Sequence, residues 1–217
     1  GGLFSLPYFC ATDLSSFYLD FAKDILYIEA ENNERRRSIQ TVYYDTLVAL
    51  VKMVTPIIPH TADEVWEYIP FVEAESVQLT DIPEPEIVIE SEEVIQKWDQ
   101  FMKIRNDVLK ALEEARDEKI IGKSLEAKVT IVAKDDETKD VLTSIPYLHQ
   151  MLIVSEAVVS DEEPNAKEYH YVQVKVEKHP GEVCDRCWVT SETVGENENH
   201  PTLCTRCADI VTENYSA

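Results

Sequence analysis

The sequence has little glycine and no long apolar run, and each shortage excludes a class of protein. Five glycines among 217 residues leave no glycine-rich loop to hold a phosphate, and neither a nucleophile elbow nor an HExxH motif occurs. No stretch approaches the roughly 18 consecutive apolar residues of a membrane-spanning helix. The chain therefore lacks the motifs of a complete enzyme, and we expect no membrane partner.

Basic residues are also few, with 20 lysines and arginines against 42 acidic residues and a net charge of −22. This balance argues against a general nucleic-acid binder, whose affinity comes largely from cations on phosphates. Any RNA contact must therefore be local. The bases cluster at residues 35–37, at residues 103–128, and beside the cysteines at Arg186 and Arg206. A solvated surface explains any one cluster equally well.

No basic, apolar secretory leader precedes the first helical pattern. We therefore expect a cytoplasmic protein whose thiols are reduced.

Two CxxC motifs near the end of the chain carry its strongest chemical signal. Cys184 and Cys187 form the first, Cys204 and Cys207 form the second, and 16 residues separate them. Each motif can direct two thiolates at one centre from a tight turn, and the two motifs supply the four ligands of a tetrahedral Zn²⁺ site. A shell of four thiolates leaves no open position for water, so the spacing predicts one structural zinc ion and no metal catalysis.

Two disulfides and a thioredoxin-like redox pair are the alternatives to zinc. A redox pair is disfavoured because two CxxC motifs occur and neither follows a βαβ pattern. Disulfides are disfavoured because a secretory leader is missing, and the fifth cysteine, Cys10, is distant in sequence. His179 and His200 are nearby potential ligands, but four thiolates already fill the predicted shell.

Helical periodicity dominates the first part of the chain. Apolar residues recur every three or four positions over residues 13–30, with Thr12 or Asp13 as the expected N-cap, and again over residues 34–55. A shorter helix is predicted from Thr61, which begins a capping-box pattern.

Residues 71–90 are rich in proline and glutamate, which predicts a connecting segment with one short extended piece at residues 77–79. Ser91 is the expected N-cap of a helix of about seven turns. The exposed side of this long helix is predicted to carry four basic residues: Lys103, Arg105, Lys110 and Arg116.

Beyond Gly122 the apolar pattern changes from helical to alternating. Residues 129–133, 152–159 and 169–177 are predicted strands, and residues 138–148 are a predicted short helix. The predicted fold class is mainly α, followed by a small α+β unit and a four-cysteine zinc module. We place the domains at residues 10–120, 121–179 and 180–217.

Several runs of residues resemble a known family. Residues 13–20, 36–41 and 59–66 resemble the anticodon-binding helical domain of class I aminoacyl-tRNA synthetases. Residues 121–127 and 184–188 are similar to the C-terminal portion of the bacterial isoleucyl-tRNA synthetases in particular.

The resemblance covers about residues 10–215 and implies a fragment whose helical bundle is truncated at its N-terminus. It implies that the catalytic domain, which uses ATP, and the editing domain lie outside this chain, so the fragment itself is expected to be inactive. The implied role is to bind the anticodon stem-loop of isoleucine tRNA. The implied partners are that tRNA and the remainder of the synthetase chain.

Five residues are candidate RNA contacts under this resemblance. Arg186 and Trp188 lie in and beside the first CxxC motif and can stack on unpaired bases or bond to their edges. Arg105, Lys119 and Lys123 are candidate phosphate contacts. Alternatively, Trp188 packs over the metal cluster, and the cations only solvate a helix face. A zinc-stabilised protein-interaction module without RNA is the competing function, and the net charge of −22 favours it.

Overall fold

The computed structural model describes residues 2–84 and 91–215, and it divides the chain into two compact units. The first unit contains residues 1–30 and 90–217, and the second contains residues 31–89. The end of the predicted connecting segment, at residues 85–90, lies outside the described residues.

The first unit begins with three consecutive helical segments: α1 (Gly2–Tyr8), a π-helix (Phe9–Tyr18) and α2 (Leu19–Ile28). The N-cap predicted at Thr12 or Asp13 is wrong, because both residues lie inside the π-helix. Helical apolar spacing does not by itself distinguish the start of a helix from its interior. The buried face of α2 consists of four residues: Phe21, Ala22, Ile25 and Ile28.

The second unit contains α3 (Glu34–Val54) and α4 (Pro59–Glu67). Asn33 caps α3, since its side-chain oxygen accepts a hydrogen bond from the Arg36 backbone N–H at 3.2 Å. The second predicted helix is thus confirmed. Helix α4 starts with proline at its first position, where no N–H donor is needed, so the predicted capping box at Thr61 is wrong.

Trp66 anchors the core of the second unit. Its indole N–H donates to the backbone oxygen of Ala74 at 2.9 Å, which satisfies the polar atom of a ring that is only 3% exposed. The extended piece predicted at residues 77–79 is a 3₁₀ turn instead. The core consists of five buried residues: Val51, Ala62, Trp66, Ile69 and Val77.

The long helix predicted from Ser91 is confirmed as α5 (Glu92–Asp117). Ser91 accepts a hydrogen bond from the Val94 N–H at 3.3 Å. The buried residues of α5, among them Phe101 and Leu112, belong to the same core as the sheet that follows. The long helix therefore packs on the α+β part of the first unit, because its apolar stripe covers one face of the sheet.

The sheet has the strand order β2-β1-β4-β3. Its strands are β1 (Ala127–Ala133), β2 (Glu156–Ser160), β3 (Lys167–Glu168) and β4 (Val172–Lys178). Strands β1 and β2 are parallel, and α6 (Asp136–Ser144) and α7 (Leu148–Leu152) form the crossover between them. Strand β2 begins later than predicted because Leu152 ends a helix.

The C-terminal module contains a short hairpin, β5 (Glu182–Val183) and β6 (Thr190–Ser191), followed by α8 (Thr205–Tyr215). Gly181 passes so close to Ser191 that an added Cβ would lie 2.2 Å from its carbonyl carbon, so only glycine fits. The predicted fold class is confirmed. Within the described ranges, none of the helices has both the length and the apolar character needed to cross a bilayer.

Helix α5 ends in a Schellman motif with lysine at its left-handed position. The Lys119 N–H donates to Arg116 O at 3.0 Å, and the Ile120 N–H donates to Ala115 O at 2.9 Å. Lys119 has a φ of 61°, a conformation that glycine adopts without the steric cost of a Cβ.

We expect Lys119→Gly to raise the free energy of unfolding by roughly 0.5–1 kcal/mol, because it removes the Cβ from a left-handed residue. Urea denaturation of the zinc-loaded chain measures the change. Lys119→Ala is the matched control, since it removes the charge but keeps the Cβ. An equal gain from alanine would show that charge, and not backbone strain, limits stability at this position.

Candidate metal centre

The two CxxC motifs meet at one point. The sulfur atoms of Cys184, Cys187, Cys204 and Cys207 all lie within 4.8 Å of one another, and the Cys187 and Cys204 sulfurs are 3.9 Å apart. A tetrahedral zinc ion with Zn–S bonds of about 2.3 Å separates its sulfur atoms by about 3.8 Å. The four thiolates therefore fit one zinc ion, with no further ligand required.

Backbone hydrogen bonds and the start of α8 direct both pairs of cysteine sulfurs toward one point. In the first motif, the Trp188 N–H donates to Cys184 O at 2.9 Å, and the Cys184 N–H donates to Val189 O at 3.0 Å. The Cys204 N–H points at the Cys184 sulfur, 3.3 Å away. The second motif opens α8, so Cys207 lies in the first turn of that helix, where the helix dipole stabilises a thiolate.

Neither the alternative disulfides nor the alternative histidine ligands form at the four-cysteine cluster. None of the five cysteines is in a disulfide, and Cys10 lies on the π-helix. The His179 Nδ1 accepts the Gly181 N–H at 3.1 Å, and its Nε2 lies 3.3 Å from Glu156. Of the described residues, only the four cysteines make up the potential metal cluster, so His179 and His200 are not part of it.

Two arginines lie beside the sulfur cluster. The Arg186 Nη1 is 3.9 Å from the Cys207 sulfur. Burial alone would lower the pKa of Arg206, but the Asp24 carboxylate outweighs burial and raises that pKa overall. The Arg206 guanidinium therefore stays charged, and it offsets part of the negative charge of four thiolates.

Asp24 links the second motif to the N-terminal helix of the same unit. The two terminal nitrogens of Arg206 donate to the Asp24 carboxylate at 2.8 and 2.6 Å, and the Gln150 side-chain N–H₂ donates to it at 2.7 Å. Helices α2, α7 and α8 thus meet at one carboxylate. Sequence reasoning missed this pairing because Asp24 and Arg206 are 182 residues apart, and local sequence patterns carry no information about contacts at that separation.

A cavity of about 740 Å³ lies within the first unit beside the metal cluster. It is lined by α2, by residues 149–156 and by the first cysteine motif. Trp188 lies in this lining and is 71% exposed. The alternative that Trp188 is buried over the cluster is therefore wrong. Tyr27 of α2 lines the same cavity and is 76% exposed, and sequence reasoning assigned it no role in binding.

The predicted phosphate contacts differ in accessibility. Arg105 is only 5% exposed, so its predicted place on the exposed side of the long helix is wrong. Its guanidinium carbon lies 4.5 Å from the centre of the Phe17 ring, its Nε donates to Met151 O at 3.3 Å, and burial lowers its pKa. Arg105 holds helices together and does not reach a phosphate. Lys119 and Lys123 are exposed.

We expect Cys204→Ser to abolish stoichiometric zinc binding, because a hydroxyl is not a thiolate ligand at neutral pH. Zinc per chain is measured by elemental analysis, and hydrogen exchange of residues 181–215 reports local unfolding. Cys10→Ser is the matched control and should keep one zinc ion per chain. Equal zinc contents in the two variants would contradict a four-thiolate site.

We expect Arg206→Lys to lower the free energy of unfolding by about 1 kcal/mol, because lysine cannot make both hydrogen bonds to Asp24 and the pair is partly solvated. The arginine and carboxylate side chains are 34% and 22% exposed. Arg116→Lys, on the exposed side of α5, is the control and should leave urea denaturation unchanged. A loss of equal size in both variants would count against the Asp24 pair.

Comparison with known proteins agrees with the geometry. The family model described as the anticodon-binding domain of tRNA ligase matches residues 5–131. The model described as a zinc finger found in FPG and IleRS matches residues 181–210, which include all four clustered cysteines. The second match supports zinc as the metal of the cluster.

Curated relatives carry the name isoleucine–tRNA ligase. The protein of that name from Oceanobacillus iheyensis is 68% identical over 211 residues, which is 97% of this chain and 23% of the relative. A Bacillus cereus relative is 58% identical and a Bacillus anthracis relative is 57% identical, each over 95% of this chain and 23% of its own length. The resemblance to bacterial isoleucyl-tRNA synthetases is thus confirmed. Because the first family model covers more than half of the chain, the chain belongs to the anticodon-binding domain family of tRNA ligases.

Proposed function

We propose that this chain binds the anticodon stem-loop of the tRNA that accepts isoleucine and that one structural zinc ion stabilises its recognition surface. The observation that carries the proposal is the exposed indole of Trp188, which the first cysteine motif presents beside a cavity. Proteins read unpaired RNA bases by stacking them on aromatic rings, and an exposed indole supplies such a surface.

The metal makes this surface rigid before RNA arrives. Trp188 follows ligand Cys187 directly, and its N–H bonds to the carbonyl of ligand Cys184. An indole held in place by the chelate turn loses little conformational freedom on binding, so more of the stacking energy contributes to affinity. Arg186, which lies between the first two ligands, bonds to the sulfur cluster and extends the cationic edge of this surface.

Lys119 and Lys123 are the proposed phosphate contacts. Both are exposed and lie in the loop that joins α5 to the sheet. With a net charge of −22, the chain repels RNA over most of its surface, so local cations must carry the electrostatic attraction. Binding should therefore weaken steeply as salt rises.

In the whole protein, we infer that this chain positions a tRNA whose isoleucine is attached with ATP in a catalytic domain outside these residues. The chain spans 23% of the relatives that it matches. By itself it should neither activate isoleucine nor bind ATP. We propose the cytoplasm as its location, since protein synthesis uses charged tRNA there.

The competing proposal is a zinc-stabilised module that binds proteins and no RNA, and the net charge of −22 is the observation that favours it. Titration of the zinc-loaded chain with isoleucine tRNA and a noncognate tRNA, at two salt concentrations, separates the two functions. Preferential and salt-sensitive binding supports tRNA recognition. Equal or absent binding of both tRNAs favours the protein-binding module.

We expect Trp188→Ala to weaken binding of isoleucine tRNA by about 5- to 100-fold, which is the loss typical of one base-stacking ring. Fluorescence anisotropy of labelled tRNA measures the affinity, and elemental analysis checks that zinc is retained.

Tyr215→Ala is the matched control for Trp188→Ala, because Tyr215 is an exposed aromatic residue of the same module that does not line the cavity. It should bind tRNA like the unchanged chain. If both variants keep full affinity, the tryptophan is not the recognition surface.

A further inference from the structure

The cavity beside the metal centre has two exposed aromatic residues in its lining, and they come from different elements. Tyr27 belongs to α2, and Trp188 directly follows the first cysteine motif. Their side chains are 76% and 71% exposed, although a large aromatic ring usually gains free energy by burial. The volume of about 740 Å³ lies within the roughly 300–1,000 Å³ of ligand pockets.

The backbone at Trp188 adds a second indication of function. Its φ is 62°, in the left-handed region that bulky residues rarely adopt. The conformation is held by hydrogen bonds on both sides of the residue, from the Trp188 N–H to Cys184 O and from the Cys184 N–H to Val189 O. The same conformation closes the turn that orients the first two cysteines, and it leaves the indole exposed; backbone strain of this kind collects at binding sites.

The face of α2 that borders the cavity continues from the Asp24 network. Asp20, Asp24 and Tyr27 follow one another at helical spacing, and all three line the cavity. Asp24 is bonded to Arg206 through two hydrogen bonds of 2.6 and 2.8 Å. Because Arg206 lies between two metal ligands, this pair sets the position of α2 relative to the module that carries Trp188.

The remaining lining suits the edge of a nucleobase. Asp20 and Glu156 contribute carboxylates, and His149 contributes an imidazole. Asp20 pairs with Lys23 and Glu156 with Lys128, but a carboxylate has further lone pairs that can accept hydrogen bonds from base N–H groups. Exposed aromatic rings and polar groups in one lining are what a pocket for a single unstacked base requires.

We propose that Tyr27 and Trp188 are the two aromatic walls of a pocket that takes one unpaired nucleobase of the bound RNA. This inference rests on the proposed tRNA recognition and adds Tyr27 as a second stacking residue, on a helix far in sequence from the metal motif. Asp24 and Arg206 are positioning residues, since their hydrogen bonds hold Tyr27 and Trp188 at a fixed separation and neither side chain contacts the base.

The test uses the zinc-loaded chain and an isoleucine tRNA anticodon stem-loop with 2-aminopurine at successive unpaired loop positions. In the unchanged chain, fluorescence of one loop position should be quenched on binding, because that base stacks on aromatic rings. Tyr27→Ala should restore that fluorescence and weaken binding by about 5- to 100-fold. Tyr27→Phe keeps the ring and should bind within about twofold of the unchanged chain, as base stacking does not need the hydroxyl.

Tyr68→Ala is the control for removal of an exposed tyrosine, since Tyr68 is 81% exposed and belongs to the second unit. Zinc content and urea denaturation should be the same for all variants. The double variant Tyr27→Ala, Trp188→Ala should lose less affinity than the product of the single losses, because one base contacts both rings.

Three other outcomes would overturn the inference, and each shows which part of it is wrong. If the stem-loop binds, and Trp188→Ala weakens it while Tyr27→Ala does not, the second wall is wrong and the proposed function stands. Quenching at no loop position, with binding intact, excludes a pocket for one base. If neither the stem-loop nor the whole tRNA binds the unchanged chain, the proposed function and this inference both fail.

Discussion

Four cysteine sulfur atoms within 4.8 Å of one another hold the last part of the chain together. The module from Gly181 onward buries little else, and its core consists of three of these cysteines and Ile28, with a few partly buried neighbours. We expect a segment with so small a core to need the free energy that a metal chelate supplies. That chelate fixes the start of α8 and the positions of the Trp188 and Arg206 side chains.

The metal centre acts on the rest of the first unit through one charged contact. Arg206 reaches Asp24 of α2, and Gln150 of α7 bonds to the same carboxylate. An arginine held between two thiolate ligands and a carboxylate is surrounded by negative charge, so its charge is retained on burial. The cavity lies beside this contact, and its lining includes Asp24 and Arg206. The geometry of the cavity therefore depends on the metal centre.

Local patterns predicted most elements, and the errors have physical causes. The caps at Asn33 and Ser91 follow the rule that a polar side chain satisfies a free N–H. Thr61 fits a capping box but lies inside a helix that begins with proline, because proline at the first position needs no cap. The charge of Arg105 predicts an exposed position, yet the Phe17 ring and the Met151 carbonyl accommodate its side chain in the interior.

The sequence by itself determined the four-cysteine cluster, the fold class and the family, because CxxC spacing, periodicity and short motifs are local properties. Tertiary structure alone decided that Asp24 meets Arg206, that Tyr27 and Trp188 line one cavity, and that Arg105 is withdrawn from solvent. These facts depend on residues far apart in sequence whose side chains meet only after packing. Periodicity assigns a residue to a face of its own element, but it does not say which distant element will cover that face.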